Sequence, residues 1–504
     1  KNFCGRHRIP DVSSGKIRRV FRQLSENNTR EIHDSKNGKR YCCDIYAIEG
    51  KDMNLSTVYD KSPVFLQNLA VSAYGFIREQ KRFGGDYKKH LRQVLDSEFC
   101  SGEEVREYQR EKLAALFAAA KTSVHYRALI ESMEKETNDP FEMLKMFPVL
   151  EKDSLRGKES DFYTNEAKHS YNLHTSGSTG TPLNVKMSKS DFRLRMALLE
   201  REKRRFGVTH KSRHLTFVGK KISAKKGNSF WRYNIVGNQL VMSVYDLSED
   251  NRERYLSKIL KYAPEVVEGY PSALAVIATW LRDQNLKAGV KCVFATAETL
   301  TAEQRTIIEE GFECPVVNYY GSIEGATMIT QCEQGKLHVD DESGIIEFMN
   351  PDGRKAAPGE VANMLMTSFT SQAMPLIRYN IGDLAVISPE ACTCGRCGTV
   401  ISEIIGRVDD IFITPEKGRV GRLSTSLKLL PPTVRRAQIH QYRPEEFVLI
   451  LETEERLNSA QVQLITDDLQ DKLGHVSIKL QYTSKIPSGK NGKFRTQINH
   501  CERK

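Results

Sequence analysis

Apolar and polar positions follow three regimes along this chain. Through residues 1–52 they show little periodicity, and the stretch is polar and basic. Met53 then opens MNLSTVYDKSPVFLQNLAVSAYGF, which reads as a natural start. This predicts a basic, weakly ordered extension over 1–52, with a genuine basic arm as the alternative. From Val64 to Leu95 apolar residues recur at helical spacing. SGEEVREYQREKLAALFAAAKTS (101–123) predicts a strong helix opened by a capping box at Ser101 and Glu104. These helices are expected to pack around a larger core. FPVLEKDSL (147–155) reads as a connector and Ser188–Arg205 as a basic helix.

Beyond Arg205 the period shortens. HLTFVG (214–219), QLVMSVY (239–245), VVEGY (266–270), VKCVFATAE (290–298) and PVVNYYG (315–321) are short runs rich in Val and aromatic residues, with helical stretches such as Pro271–Asp283 and Ala302–Gly311 between them. Such alternation predicts an α/β fold with mainly parallel pairing. Ligands of these sheets gather at the carboxyl ends of strands, and NYYGSIEGA (318–326) sits at such an end. Residues 333–390 read as shorter strands and turns. After GRVDDI (406–411) the character changes again: strands over 447–452 and 476–483 flank a helix over Ser459–Leu473. The reading is a large domain (53–405) with mainly parallel sheets and flanking helices, followed by a small, mobile α+β domain (406–504) of a size that folds by itself.

Charge and cysteine content narrow this picture. The 504 residues carry 75 Lys+Arg against 64 Asp+Glu, a net charge of +11. Residues 1–52 hold 12 basic and 7 acidic residues, a net +5, so nearly half the excess lies in a tenth of the chain. A positive balance suits nucleic acid, an anionic membrane or small anions such as ATP, or merely solvates the surface. No secretory apolar segment opens the sequence and no apolar run is long enough to span a bilayer. Eleven cysteines, an odd number, then suggest a reduced, cytoplasmic protein, where clustered cysteines hold metal more often than they form disulfides.

The chemistry centres on HTSGSTGTP (174–182). Gly177 and Gly180 let the backbone turn its N–H groups toward one point, and Thr175, Ser176, Ser178, Thr179 and Thr181 add uncharged hydroxyl donors. Such a loop suits polyphosphate, although a flexible Ser/Thr/Gly linker has the same composition. No Gly-Lys-Ser/Thr closes it, so it is not a Walker-type loop, and a cation for the phosphates must come from elsewhere. Asp383, in RYNIGD (378–383), has two acceptor oxygens suited to two vicinal ribose hydroxyls. Glu324 follows a Tyr-Gly turn at a strand end, where a carboxylate can hold magnesium.

TSGSTGTP (175–182), YGSIEG (320–325), RYNIGD (378–383), GRVDD (406–410) and GKNGKFR (489–495) occur in this order. Together they resemble the AMP-forming adenylate ligases, over Met53 to the C-terminus. FWRYN (230–234), NQLVMSVYDLS (238–248), EGYPSAL (268–274) and GKFR (492–495) narrow the resemblance to the phenylacetate–CoA ligase branch and to CapK-type proteins encoded with capsule and exopolysaccharide genes. The resemblance implies that ATP and a small carboxylic acid give an acyl-adenylate and pyrophosphate. A thiol, coenzyme A, then takes the acyl group, or alternatively an amine on a sugar or amino acid does. It makes Glu324 the magnesium ligand and Thr175–Thr181, Tyr320, Gly321, Ser322, Asp383 and Arg407 the nucleotide contacts. It makes Lys493 a catalytic cation that swings with the small domain about a pivot near Asp409, with Lys490 as a rival. Lys186 is a partial substitute for a lysine that many relatives carry after the loop proline. Tyr320 is placed to stack on adenine, though aromatic residues in strands are more often core. Arg378 equally suits a structural ion pair. Phe230, Trp231, Tyr233, Tyr270 and Tyr319, with Thr296–Glu298 as a floor, are candidates for the acid pocket or plain core, and His174 for the loop or a structural bond.

A second signal is C-T-C-G-R-C, placing Cys392, Cys394 and Cys397 within six residues, with Cys332 and His338 upstream. Thiolates and an imidazole suit tetrahedral zinc. Resemblance to the phenylacetate–CoA ligase branch implies Cys332, His338, Cys392 and Cys394, with Cys397 spare or an alternate for Cys392. Four protein ligands leave no open position, so the role is structural. A zinc-containing basic nucleic-acid binder is the competing class of function. The spread of the basic residues and the lack of an aromatic–basic interleaved motif argue against it.

Overall fold

The computed structural model describes residues 62–133, 137–175, 183–219, 229–350, 352–407, 412–420, 423–431, 433–487 and 494–501, with Tyr59 and Ile222 as isolated positions. The expected extension over 1–52 lies outside the described residues. So do Ser176, Gly177, Ser178, Thr179, Gly180 and Thr181 of the hydroxyl-rich loop, the pivot at Asp409, and both Lys490 and Lys493.

The helical stretch after Pro63 divides at Gly84 into α1 (Val64–Phe83) and α2 (Tyr87–Asp96), and α3 (Gly102–Ala120) follows. The capping box forms as the residues dictate: Ser101 Oγ accepts from Glu104 N at 3.3 Å and Glu104 Oε2 from Ser101 N at 2.8 Å, a device worth about 1 kcal/mol. Next come α4 (Val124–Glu131) and α5 (Pro140–Met146). The segment expected as a connector holds strand β1 (Leu150–Glu151) and a single turn, α6 (Lys152–Leu155). One helix departs from expectation. Instead of an apolar face, α1 buries Gln67, Ser72, Gly75 and Arg78 with only Val71.

Strands β2 (Ser170–His174) and β3 (Asn184–Ser188) form an antiparallel hairpin whose last pair is His174 with Asn184. The hydroxyl-rich loop is therefore the hairpin's connection. Helix α7 (Lys189–Arg205) follows, and its charges are not all solvated. Arg201 is buried between Asp340 (2.9 Å) and Glu342 (2.5 Å), so much of its charge is paired inside.

The predicted strands then appear as β4 (His214–Val218), β6 (Gln239–Ser243), β7 (Val266–Gly269), β8 (Cys292–Ala295) and β9 (Val316–Asn318), joined by β5 (Trp231–Asn234), which was not among them. Between them lie α8 (Arg252–Tyr262), α9 (Pro271–Asp283) and α10 (Ala302–Phe312). The sheet order is β5-β6-β4-β7-β8-β9, parallel except at edge strand β5. Central strands β4, β6 and β8 are buried at every position, as a parallel sheet covered on both faces requires.

A second sheet contains β10 (Ile329–Gln331), β11 (Leu337–Val339), β12 (Gly344–Met349), β13 (Val361–Ser368), β14 (Tyr379–Ile387) and β15 (Val400–Arg407). It is antiparallel apart from β1, which pairs parallel with β14. Parallel pairing is thus concentrated in the first sheet. From Phe412 onward the chain builds its own core of Phe412, Ile439, Phe447, Leu449, Ile465 and Leu469. Its elements are the hairpin β16 (Phe412–Thr414) and β17 (Gly418–Val420), then β18 (Arg436–Arg443), β19 (Glu446–Glu452), α11 (Ser459–Leu473), β20 (Ser477–Thr483) and β21 (Gln497–Asn499). The last four strands form one sheet, ordered β20-β19-β18-β21.

Candidate active site

The turn after β9 is held by buried groups. Tyr320 pairs through its backbone with Ile329, donating at 2.8 Å and accepting at 3.1 Å. Arg195 of α7 reaches under the turn and donates to Ser322 O (3.1 Å), Ala326 O (2.7 Å) and Thr370 Oγ1 (3.1 Å). Burial lowers its pKa to about 10, still charged at neutral pH. A guanidinium with this many acceptors fixes the turn's path. Gly325 adopts a positive φ of 81°, and a Cβ there would come within 2.7 Å of Met187 Cε on β3. The hairpin that carries the hydroxyl-rich loop therefore packs directly on the YGSIEG turn.

Within this frame the sequence-derived candidates converge in part. Tyr320 Oη donates to Asp383 Oδ2 at 2.5 Å, joining the turn to β14. Asp383 is in register with Arg407 across β14 and β15, which sets their backbones side by side. Glu324 is only 4% exposed and pairs with Lys152 of α6, Nζ to Oε1 at 2.7 Å. Lys152 was not foreseen, because it lies in the stretch read as a connector. Thr175 is buried and clasps the mouth of the loop: its N donates to Leu183 O (3.1 Å) and its Oγ1 accepts from Leu183 N (2.9 Å).

Several candidates that carried a structural alternative have structural partners. His174 Nδ1 bonds Asn184 Oδ1 at 2.6 Å across the same mouth. Arg378 makes an ion pair with Glu347 at 2.9 Å. Lys186 Nζ sits 5.1 Å from the centre of the Tyr163 ring. Phe230 stacks on Tyr255 within the core of the parallel sheet.

The terminal loop meets the large domain at Glu298, just beyond β8. Glu298 Oε1 accepts from Phe494 N at 2.6 Å and from Ser272 Oγ at 3.2 Å, while Oε2 accepts from Ser272 N at 3.2 Å. The preceding Ala297 has a φ of 68°, a left-handed conformation uncommon for a residue with a Cβ and a mark of backbone held by its surroundings. Beside it, Gly406 has a φ of 106°, and a Cβ there would lie 3.3 Å from Thr299 Oγ1. The 297–299 turn thus touches both the end of β15 and the terminal loop. Phe494 is anchored on the other side by Arg436, whose guanidinium lies 5.2 Å from the ring centre. Gln438 Nε2 donates to Arg495 O at 2.7 Å, continuing the attachment to β18.

The cysteine group closes elsewhere. One ligand atom from each of Cys332, His338, Cys392 and Cys394 lies within 4.8 Å of the others. The Cys332 and Cys392 sulfurs are 3.7 Å apart, and Cys394 Sγ is 3.5 Å from His338 Nε2. Tetrahedral zinc with bonds of about 2.3 Å to sulfur and 2.0–2.1 Å to nitrogen puts sulfurs about 3.8 Å apart and sulfur about 3.5 Å from nitrogen. Both of these spacings, and the donor chemistry of all four residues, fit the ion. Cys397 faces away and donates to Cys100 O at 2.7 Å.

The CapK C-terminal domain family matches residues 412–500. Over 460 residues, covering 89% of this chain and 100% of the relative, the sequence is 28% identical to Protein CapK of Staphylococcus aureus. It is 27% identical over 332 residues to the phenylacetate-coenzyme A ligase of Thermus thermophilus, covering 62% of this chain and 72% of that one. The solved structure of 2-hydroxyisobutyryl-CoA ligase, in the postadenylation state with R3-HIB-AMP, shares the fold: TM-score 0.61 at 18% identity, over 80% of this chain and 91% of that chain. The ordered motifs and these relatives define an adenylate-forming enzyme. Within that class the chain is CapK-like along 89% of its length and is similar to phenylacetate–CoA ligases over 62% of it.

Proposed function

We propose that the protein activates a small carboxylic acid with ATP and passes the acyl group to coenzyme A. The observation that carries this reading is the bond from Phe494 N to Glu298 Oε1. It brings the residue after Lys493 to the carboxyl end of the parallel sheet, the side of the fold where α/β enzymes hold their ligands. In this reading the acid's carboxylate oxygen attacks the α-phosphorus of ATP and the bond to the β-phosphate oxygen breaks, releasing pyrophosphate. Lys493 supplies positive charge to the reacting oxygens, where charge grows in the transition state. Backbone N–H groups and hydroxyls of Ser176–Thr181 hold the leaving phosphates, with Thr175 clasping the loop. Asp383 accepts from the ribose hydroxyls, oriented by Tyr320, whose ring flanks adenine. Gly321 and Ser322 line the nucleotide, and Arg407 completes its contacts.

Glu324 is the carboxylate for magnesium. It fits that ion as a buried carboxylate whose Oε1 is already matched to a cation, Lys152. When bound, magnesium neutralises phosphate charge. Zinc at Cys332, His338, Cys392 and Cys394 supplies cross-linking only, since its four ligands fill the tetrahedron. A reduced, cytoplasmic setting belongs to this reading, because thiolates must survive as ligands.

A second acceptor, an amine on a sugar or amino acid, is favoured by one observation. Residues 412–500 match the CapK C-terminal domain family, and CapK-type proteins are the ones whose resemblance points to capsule and exopolysaccharide precursors. Carboxylate-dependent ATP–pyrophosphate exchange across aryl, fatty, hydroxy and amino acids tests the first half-reaction. Exchange stimulated by one class and absent without acid is expected; no stimulation by any of them would reject acid activation. Trapping the activated acid with coenzyme A against amino sugars and amino acids then separates the two acceptors.

A further inference from the structure

Helix α1 is inside out. Its inward face is polar and largely hydrogen-bonded, although Gln67 Oε1 and Arg78 Nε are buried without a hydrogen bond. Gln67 Nε2 donates to Tyr59 O (2.7 Å) and Ser62 O (3.0 Å), Ser72 Oγ accepts from Ile235 N (3.0 Å), and Arg78 Nη2 donates to Gln239 Oε1 (2.7 Å). Its outward face carries Phe65 (63% exposed), Leu69 (49%) and Phe76 (54%). At about 100° per residue these three fall within about 40° of arc, and they run about 16 Å along the axis. A surface helix normally buries its apolar stripe. The neighbouring turn adds Ile235 and Val236, also exposed, and Leu66 lies beside the stripe. These six are more than a third of the sixteen large apolar side chains exposed among the described residues, so this is a patch and not scatter.

The C-terminal end of the stripe opens into a groove of about 380 Å³ lined by Phe76, Ile77, Lys81, Tyr171, Lys189 and Arg193. Three cations and no carboxylate line it. Lys81 lies over the Tyr171 ring at 5.4 Å, and Arg193 also bonds Asp86 at 3.1 Å.

We propose that this face docks the protein on an anionic phospholipid surface, with Phe65, Leu69 and Phe76 entering the headgroup boundary and the three cations meeting lipid phosphates. Apolar insertion beside a basic cluster is the arrangement that binds such interfaces. A free phosphate compound would need the groove alone and leaves the stripe beyond it unexplained. A second copy of this chain would set like charges against each other across the groove. The chain's own residues 1–52, net +5, carry the same sign. No helix among the described residues is long and apolar enough to cross a membrane, so the contact is interfacial.

The experiment is cosedimentation of the full chain with vesicles of phosphatidylcholine alone or with about one third phosphatidylglycerol. Binding is expected to the mixed vesicles, at least about tenfold stronger than to the neutral ones, and to weaken as salt rises. Inorganic phosphate at matched ionic strength is expected not to compete. A Phe65→Gln, Leu69→Gln, Phe76→Gln variant and, separately, a Lys81→Glu, Lys189→Glu variant should each lose about tenfold or more, while keeping the wild-type melting temperature. Equal binding to neutral vesicles, no binding to either, competition by phosphate, or a self-association abolished by the apolar variant without vesicle binding would each overturn the proposal. The salt dependence of the wild type stands even if a variant fails to fold.

Discussion

The two polar centres of this molecule are built on opposite plans. In the cysteine–histidine group every ligand atom points at the other three, within 4.8 Å. In the candidate active site every group points away to a different element: Tyr320 to Asp383, Glu324 to Lys152, Glu298 to Phe494. A closed set can stabilise only what it ties together. An open set, spread over β14, α6 and the terminal loop, changes whenever one of those elements moves. If zinc fills the first group and the proposed chemistry uses the second, one chain holds both a fixed cross-link and a site assembled from separate elements.

The contrast is tested most severely at Lys493. Lys493→Ala should cut carboxylate-dependent pyrophosphate exchange by about a hundredfold to a thousandfold, the loss seen when a transition-state charge contact goes, with little change in ATP affinity. Exchange near the wild-type rate would remove the terminal loop from the chemistry. The closed centre should respond in the other currency. Cys392→Ser is expected to drop bound zinc below about half an equivalent per chain and lower the melting temperature. Exchange per folded molecule should stay within severalfold. Wild-type protein purified without zinc would refute the cross-link.

A smaller effect is expected at Glu298. Removing a charge-assisted bond costs about 1.5–3 kcal/mol, or tenfold to a hundredfold. Glu298→Gln and Phe494→Pro delete the two halves of one contact, the acceptor's charge and the backbone donor. Both should slow pyrophosphate exchange by similar factors, and the double variant should be little worse than either alone. Additive losses would mean that Glu298 acts through Ser272, within the large domain.

How much of this was legible in the sequence follows from the same contrast. The zinc-type ligands sit in two short segments with telling spacings, and the strand–helix alternation from His214 to Gly321 maps onto β4–β9 almost run by run. Asp383 and Tyr320 were identifiable one at a time; their mutual bond joins residues 63 positions apart and has no local trace. Glu298 was noticed only as a possible pocket floor. Its partner is a main-chain N–H 196 residues on, and any non-proline residue supplies one. Lys152 gave no signal, being one lysine in a polar segment. Periodicity revealed α1 but could not say which face turns inward, because Gln67, Ser72 and Arg78 are buried by long-range partners on the β5–β6 hairpin as well as local ones.

The smallest effect concerns what holds the terminal strand. His440 on β18 bonds His500 at 2.9 Å through Nδ1 and Gln438 at 2.8 Å through Nε2, and Tyr442 stacks on the His500 ring at 4.6 Å. Burial, with His500 and Arg495 nearby, lowers the His440 pKa below its usual value. The folded state therefore resists protonation that the unfolded state accepts near pH 6.5. Above that pH the contribution to stability is intact. It is lost as pH falls through and below 6.5, at no more than about 1.4 kcal/mol per unit from this one group. Acid should therefore loosen β21, the strand that follows directly on the Lys493 loop. The protection of the residue 497–500 amides, taken relative to the intrinsic exchange rate at each pH, is expected to fall between about pH 7 and 5, and His440→Gln should flatten that dependence. Unchanged pH dependence in the variant would assign the acid response to other groups and leave the terminal strand a passive support.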